Sequence, residues 1–312
     1  MKKILVTGSE GSLMQYVIPV LLKKGYEVIG VDNFARYGEI ERKRNYKFIK
    51  GDLTDPEFVD SIMEGIDGVV QAAALIYGVG GFNKYPADIL SKDIVLHQNI
   101  LWAMKKHKVS KIAYISSSMV YERCNNHPSK EEDAFESTIP STDYGMSKLV
   151  GEKLCRAFAR QYGINYVIWR PFNIITPHEV AEKEQGLSHV FADFIKNLIV
   201  EKKNPLPIFG DGEQIRCFTW IEDIANAIGE YSFESKTDNE TYNLGNPEPI
   251  TMKELARLIY QGTDELTFET VKEYSDDVTI RIPDISKATK ELGFKPSKKV
   301  KDSVKVCLEK LN

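Results

Sequence analysis

Two rhythms of apolar and polar positions alternate along the first half of the chain. Short apolar runs occur at Ile4-Leu5-Val6, Val28-Ile29, Phe48-Ile49, Val69-Val70, Ile112-Ala113-Tyr114-Ile115 and Tyr166-Val167-Ile168-Trp169. Runs of this length, rich in β-branched and aromatic residues and bounded by glycine or polar residues, predict buried strands. Between them, stretches at about 12–24, 57–64, 93–107 and 144–162 space their apolar residues for helices. Strands alternating with helices imply crossover connections, hence an α/β fold with a doubly wound parallel sheet covered on both faces.

After Arg170 the rhythm changes. Residues 179–186 are polar and end in glycine, which predicts a mobile loop, and 189–200 predicts a helix. Asn204-Pro205-Leu206-Pro207 breaks the chain, and Phe218-Thr219-Trp220 with 224–231 reads as one more strand-to-helix step. Thr251 ahead of Glu254 predicts a capped helix start. A length of 312 residues suggests about two domains. The motifs place one at 1–170 plus about 217–239, and a smaller one at about 171–216 and 240–312, with the site in the cleft between them.

Composition removes several function classes. Hydrophobic residues make up 42% of the chain, so there is material for a core, and the net charge of −4 gives no field that would draw it to nucleic acid or a membrane. Cys124, Cys155, Cys217 and Cys307 lie far apart, without metal-ligand or disulfide-scaffold spacing. Met1 leads directly into a predicted strand, and no apolar run reaches the ~20 residues of a membrane span. A soluble, cytoplasmic protein without a metal site is expected.

Candidate chemistry collects where the predicted strands end. Gly8, Ser9, Glu10, Gly11, Ser12 and Leu13 lie between the first strand and the first helix. A glycine turn there lets the backbone approach a pyrophosphate at a helix N-terminus. Asp32, followed by Asn33, ends the second strand, where a carboxylate accepts hydrogen bonds from an adenosine ribose and repels a 2′-phosphate. Asp52-Leu53 follows the third strand. Ala72, Ala73 and Ala74 follow the fourth, where small side chains leave room for a flat ligand. Asp32 favours NAD over NADP, with Arg36 nearby leaving the second open. The fifth strand ends at Ser116-Ser117-Ser118, and the next helix opens with Tyr144 and Lys148. Residues at i and i+4 share a helix face, about 5–6 Å apart at Cβ. An ammonium and a cationic nicotinamide ring would favour the Tyr144 phenolate, making it a general base.

These motifs together resemble the extended short-chain dehydrogenase/reductase family, in its NAD-dependent epimerase/dehydratase group acting on nucleotide sugars. The resemblance runs nearly end to end. It continues through Arg170-Pro171-Phe172-Asn173, Gly210-Asp211-Gly212 with Arg216, Tyr242-Asn243-Leu244-Gly245 and Arg281-Ile282-Pro283-Asp284. It implies a Rossmann-type cofactor domain, a smaller C-terminal α/β substrate domain and a homodimer packed through the 93–107 and 144–162 helices. Tyr144 would take a proton from a sugar hydroxyl, typically at C4, while NAD oxidises that carbon. Lys148 would bind the nicotinamide ribose, Ser116 and Pro171 would contact the cofactor, and Ser117 would hold the sugar oxygen beside Ser118. Asn173, Arg216 and Arg281 match positions that bind the nucleotide diphosphate.

Departures from the family pattern narrow the chemistry. Relatives that dehydrate the sugar carry Asp-Glu where this chain has Ser118-Met119, and 3,5-epimerases carry cysteine at Met119. His178 matches the second acid/base position of that latter branch, or is a loop histidine closing on the ligand. Met14 replaces the third glycine of the phosphate loop, and Asp93 stands where relatives usually carry an active-site asparagine. What remains is reversible oxidation at one carbinol, predicting a nucleotide-sugar 4-epimerase. The alternatives are a 4-dehydrogenase or ketoreductase with net redox, and a non-catalytic NAD-binding member.

Overall fold

The apolar runs of the first half become strands of one sheet. In chain order the computed structural model contains β1 (Lys3–Thr7), α1 (Met14–Lys23), β2 (Glu27–Asp32), β3 (Lys47–Lys50), α2 (Pro56–Ile62), β4 (Gly68–Gln71), α3 (Val79–Lys84), α4 (Pro86–His107), β5 (Lys111–Ile115), α5 (Asp133–Glu136), α6 (Asp143–Tyr162) and β6 (Asn165–Pro171). Then come β7 (Ile174–Ile175), α7 (Val190–Ile195), β8 (Leu206–Phe209), β9 (Ile215–Cys217), β10 (Thr219–Trp220), α8 (Ile221–Tyr231) and β11 (Glu240–Leu244). The chain closes with β12 (Pro249–Thr251), α9 (Met252–Ile259), β13 (Phe268–Lys272), α10 (Ser286–Leu292) and α11 (Val300–Leu311). The structure describes residues 2–311 apart from Tyr37, Ile40, Ser137, Thr138, Val180, Gln185 and 273–277.

Seven strands pair in the order β11-β6-β5-β4-β1-β2-β3, each neighbouring pair parallel. The order reverses between β1 and β4, so the crevice beyond their carboxyl ends is the switch point where such sheets bind ligands. One face buries Leu5, Val31, Val69 and Ile112 under α2, α4 and α6. The other buries Ile4, Val6, Val70 and Trp169 under α1, α8 and α10. Met14 is buried in that second layer, filling the helix–sheet contact where relatives have glycine.

Three expectations need correcting. Glu240–Leu244, assigned to the second domain, is the outer strand of the central sheet, where it pairs with β6. Thr219–Trp220 instead pairs with β7 outside that sheet, although α8 returns to pack on α1. Pro86 starts α4 a full seven residues before Asp93, because proline's fixed φ and absent N–H suit the first helical turn. The short α3 just ahead of it was not foreseen. A second core, including Phe191, Leu206, Phe218, Trp220, Leu255 and Val304, sits beside the sheet's carboxyl edge. Thr251 and Glu254 form the expected capping box at α9. Among the described residues no helix is long and apolar enough to cross a membrane.

Candidate active site

A cavity of about 450 Å³ opens at the switch point and runs between the two cores. Its floor is set by hydrogen bonds from the ends of β1 and β4. The Thr7 hydroxyl donates to Gln71 Oε1 at 2.8 Å and accepts the Ala72 and Ala73 N–H groups, both at 3.1 Å. Gly8 adopts φ +64°, and a Cβ there would lie 2.9 Å from Ala73 N. The phosphate turn therefore needs glycine for its backbone and for its closeness to the alanine segment. No side chain caps the start of α1, which leaves that helix end open towards the cavity.

Asp32 sits at the end of β2. Its Oδ2 accepts Glu10 N at 3.0 Å and its Oδ1 accepts Phe34 N at 2.8 Å. Each oxygen retains a lone pair for a hydroxyl donor. Glu10 turns its carboxylate away to Arg44 and Tyr46, at 2.9 and 2.7 Å. Arg36, the residue that left NADP open, pairs with Glu182 at 2.5 Å and donates to Leu187 O at 3.0 Å.

The opposite end of the cavity is built from β5 and α6. Glu122 fixes the start of α6 by accepting Thr142 N at 2.7 Å and Thr142 Oγ1 at 2.6 Å. Deeper in, fully buried Arg170 of β6 makes a two-pronged pair with Glu152 of α6, at 2.8 and 2.6 Å. Glu152 also accepts the Ser116 hydroxyl at 2.5 Å. Strand end and helix are thereby locked together, and Ser117, Tyr144 and Lys148 line the same cavity wall. Phe82 of α3 stacks on the Tyr144 ring, with centroids 4.9 Å apart and planes 7° apart.

Lys148 Nζ lies 5.6 Å from the Tyr144 ring centroid and donates to Ile115 O at 3.1 Å. Burial pushes the Tyr144 phenol above its usual range, an effect an ionised Asp93 would increase, while Ser117 and Arg281 oppose it. Burial pulls the Lys148 ammonium down, against an ionised Asp93 and against Glu152. The chain by itself therefore keeps Tyr144 as a phenol, and Lys148 alone does not make it a phenolate.

Most of the residues singled out from sequence meet in this cavity: Gly8, Glu10, Gly11, Ser12, Leu13, Asp32, Asn33, Asp52, Leu53, Ala72–Ala74, Ser116–Ser118, Tyr144, Lys148, Pro171, Asn173, Arg216 and Arg281. Arg281 donates to Asn173 Oδ1 at 3.2 Å and also touches Met119 Sδ. Two do not join them. Ser9 is buried against Gly30, its N–H bonded to Val31 O. His178 points elsewhere and packs on the Tyr16 ring at 5.6 Å. Its place is taken by neighbours that sequence reasoning missed: Glu179, His189 and Asp193 line the cavity. Glu179 Oε1 is 2.8 Å from His189 Nδ1, and Asp193, pushed up to about 7 chiefly by burial, accepts Gly186 N at 2.7 Å. The described part of the 179–186 loop, expected to be mobile, is tied down by these bonds and by Gly80 N to Gly186 O at 2.9 Å. Val180 and Gln185 lie outside the described residues.

The NAD dependent epimerase/dehydratase family model matches residues 4–245, from β1 to one residue past β11. The chain belongs to that family. It is an enzyme of the extended short-chain dehydrogenase/reductase type, with NAD as its cofactor. A UDP-glucuronate 4-epimerase of Thermodesulfobacterium geofontis is 31% identical, over 96% of this chain and 93% of its own. An uncharacterised UDP-glucose epimerase of Bacillus subtilis is 29% identical, over 97% of this chain and 95% of its own. A solved Thermotoga maritima UDP-glucose 4-epimerase with UDP-glucose aligns with a TM-score of 0.85 at 28% identity, covering 98% of this chain and 97% of that one. The glycine turn, the open helix end and the Asp32 lone pairs fit a dinucleotide: pyrophosphate at 8–13, adenosine ribose at Asp32.

Proposed function

We propose that this family member is a nucleotide-sugar epimerase acting at C4 through a transient 4-keto sugar. The observation that carries the reading is the placement of Ser117, Tyr144 and Lys148 on one wall of a cavity that continues to the phosphate turn. Ser117 orients the sugar hydroxyl, Tyr144 removes its proton and later returns it, and Lys148 holds the cofactor ribose. Bound NAD supplies a cationic ring and a reversible acceptor for the hydrogen and electron pair of the carbinol. That added positive charge is what the buried Tyr144 phenol needs in order to ionise.

Arg216, Arg281 and Asn173 face the same cavity and suit a diphosphate, since guanidinium forks match phosphate oxygens. Met119, a thioether beside Arg281, offers no acid for dehydration and no base for removing a proton from carbon. The cofactor unit comprises 1–170 with α8 and β11, and the rest of the chain from 171 onward forms the substrate unit apart from α10, which packs on the sheet. A homodimer through α4 and α6 is part of the proposal: Trp102 is half-exposed there and packs edge-on against Phe158 and tilted against Tyr162.

The test is a panel of UDP-, GDP- and dTDP-sugars incubated with the purified protein and read by proton NMR, with cofactor content measured after denaturation. One C4-epimeric pair should interconvert, with NAD retained and no net NADH. Keto-sugar release matched by NADH would replace the epimerase with the dehydrogenase reading.

A further inference from the structure

Asp93 lies fully buried on α4, between the alanine segment and the helix that carries Tyr144. Its Oδ1 accepts Leu75 N at 2.8 Å, and its Oδ2 lies 3.1 Å from Ser147 Oγ. That same hydroxyl oxygen is 2.9 Å from the Tyr144 carbonyl oxygen. A serine hydroxyl carries one proton, and a carbonyl has none to give. Were Asp93 a carboxylate, the single Ser147 proton would be divided between two acceptors in a three-centre contact, with neither bond fully formed. Both become hydrogen bonds when the acid supplies the second proton, in the order Asp93 Oδ2–H to Ser147 Oγ, then Ser147 O–H to the Tyr144 carbonyl.

The surrounding charges agree with this proton count. Lys148 is the cation on the facing helix, yet its ammonium turns to Ile115 O, and among the described residues no ion pair joins it to Asp93. From β5, Tyr114 presents a hydroxyl that is bonded to His97 at 2.9 Å. His97, one turn along α4, meets Gln71 through its other ring nitrogen at 3.3 Å. The alanine segment offers a backbone N–H. Burial opposes a carboxylate here, and the nearby Lys148 ammonium, which makes no direct ion pair with it, offsets that cost only in part.

We propose that Asp93 is held as a neutral carboxylic acid and acts as a positioning residue, tying the Leu75 segment to the first turn of α6 through Ser147. In this state it makes the bonds an asparagine would make, and places no negative charge beside Tyr144. Its protonation stands on geometry alone; its effect on turnover rests on the reading of Tyr144 as the base.

The experiment pairs infrared spectroscopy of carbon-13-aspartate-labelled protein with pH–rate profiles. The difference between wild type and Asp93→Asn should contain a protonated-carboxyl band at neutral pH, and Ser147→Ala should shift that band as its acceptor is lost. A carboxylate band in its place, or a band indifferent to Ser147→Ala, overturns the proposal even if no substrate has been found. Asp93→Asn should keep kcat within about twofold, because its hydrogen bonds survive. Asp93→Ala should lose roughly 10–100-fold through misplacement of the helix start. The pH midpoint should be the same in wild type and Asp93→Asn. A midpoint lower by about one unit in Asp93→Asn would mean that a negative charge had been removed, and would overturn the neutral assignment.

Discussion

On the wall formed by β5 and α6, the candidate side chains stand in or within two residues of regular elements, and buried bonds hold those elements together. On the facing wall, Glu179 sits in irregular chain, His189 stands just ahead of α7, and Arg281 lies in the connection between β13 and α10. The first wall is anchored by the fully buried Arg170–Glu152 pair and by Glu122 at the start of α6. The second is held by bonds nearer the surface, such as Glu179–His189 and Arg36–Glu182. The first wall's side chains thus rest on buried bonds, and those of the second wall on partners nearer the surface. The proposed division of labour follows: the first wall sets turnover, and the second sets which nucleotide sugar binds.

The largest expected effect falls on the first wall. Tyr144→Phe should lower kcat by roughly 10²–10⁴-fold, the usual worth of a positioned base, with bound NAD unchanged. A variant that turns over normally would remove Tyr144 from the mechanism. Next comes stability. Glu152→Gln leaves Arg170 buried without its charge partner and should cost about 3–5 kcal/mol in denaturant unfolding. A loss below about 1 kcal/mol would mean that the wall does not depend on this pair.

Smaller effects should appear opposite. Glu179→Gln should raise KM about tenfold, as loss of a charge-assisted contact does, with kcat largely kept. A fall in kcat alone would place Glu179 in the chemistry and erase the contrast. Trp102→Glu, on the outer face of α4, should shift the particle to monomer in light scattering and leave the fold intact. His178→Ala should change kcat/KM least, within about twofold, because the imidazole packs on Tyr16 outside the cavity.

The same contrast explains what could be read from the sequence. Gly8, Asp32, Ser117, Tyr144 and Lys148 were legible because strand ends and helix turns fix where their side chains go. Spacing alone carried no such information past Arg170. His178 and Glu179 are adjacent in an irregular stretch, and only tertiary packing decides that Glu179 faces the cavity. His189 and Asp193 gave no signal beyond membership of the helix predicted at 189–200. β11 was misassigned because its partner, β6, is about 70 residues earlier in the chain. Neither strand's pattern specifies such a long-range parallel pairing. Burial, likewise invisible in spacing, raises the Tyr144 phenol in the chain by itself, so the expected phenolate depends on the cofactor's charge as well as on Lys148.

The account turns on reversible oxidation at a single carbinol, with the hydrogen returned to the carbon it left. Epimerisation run in deuterium oxide and followed by proton NMR tests this directly. The account predicts an inverted C4 that keeps its original hydrogen, with no solvent deuterium on the sugar ring and no net NADH. Deuterium incorporated at the inverted carbon would mean proton transfer to and from carbon, and would contradict it.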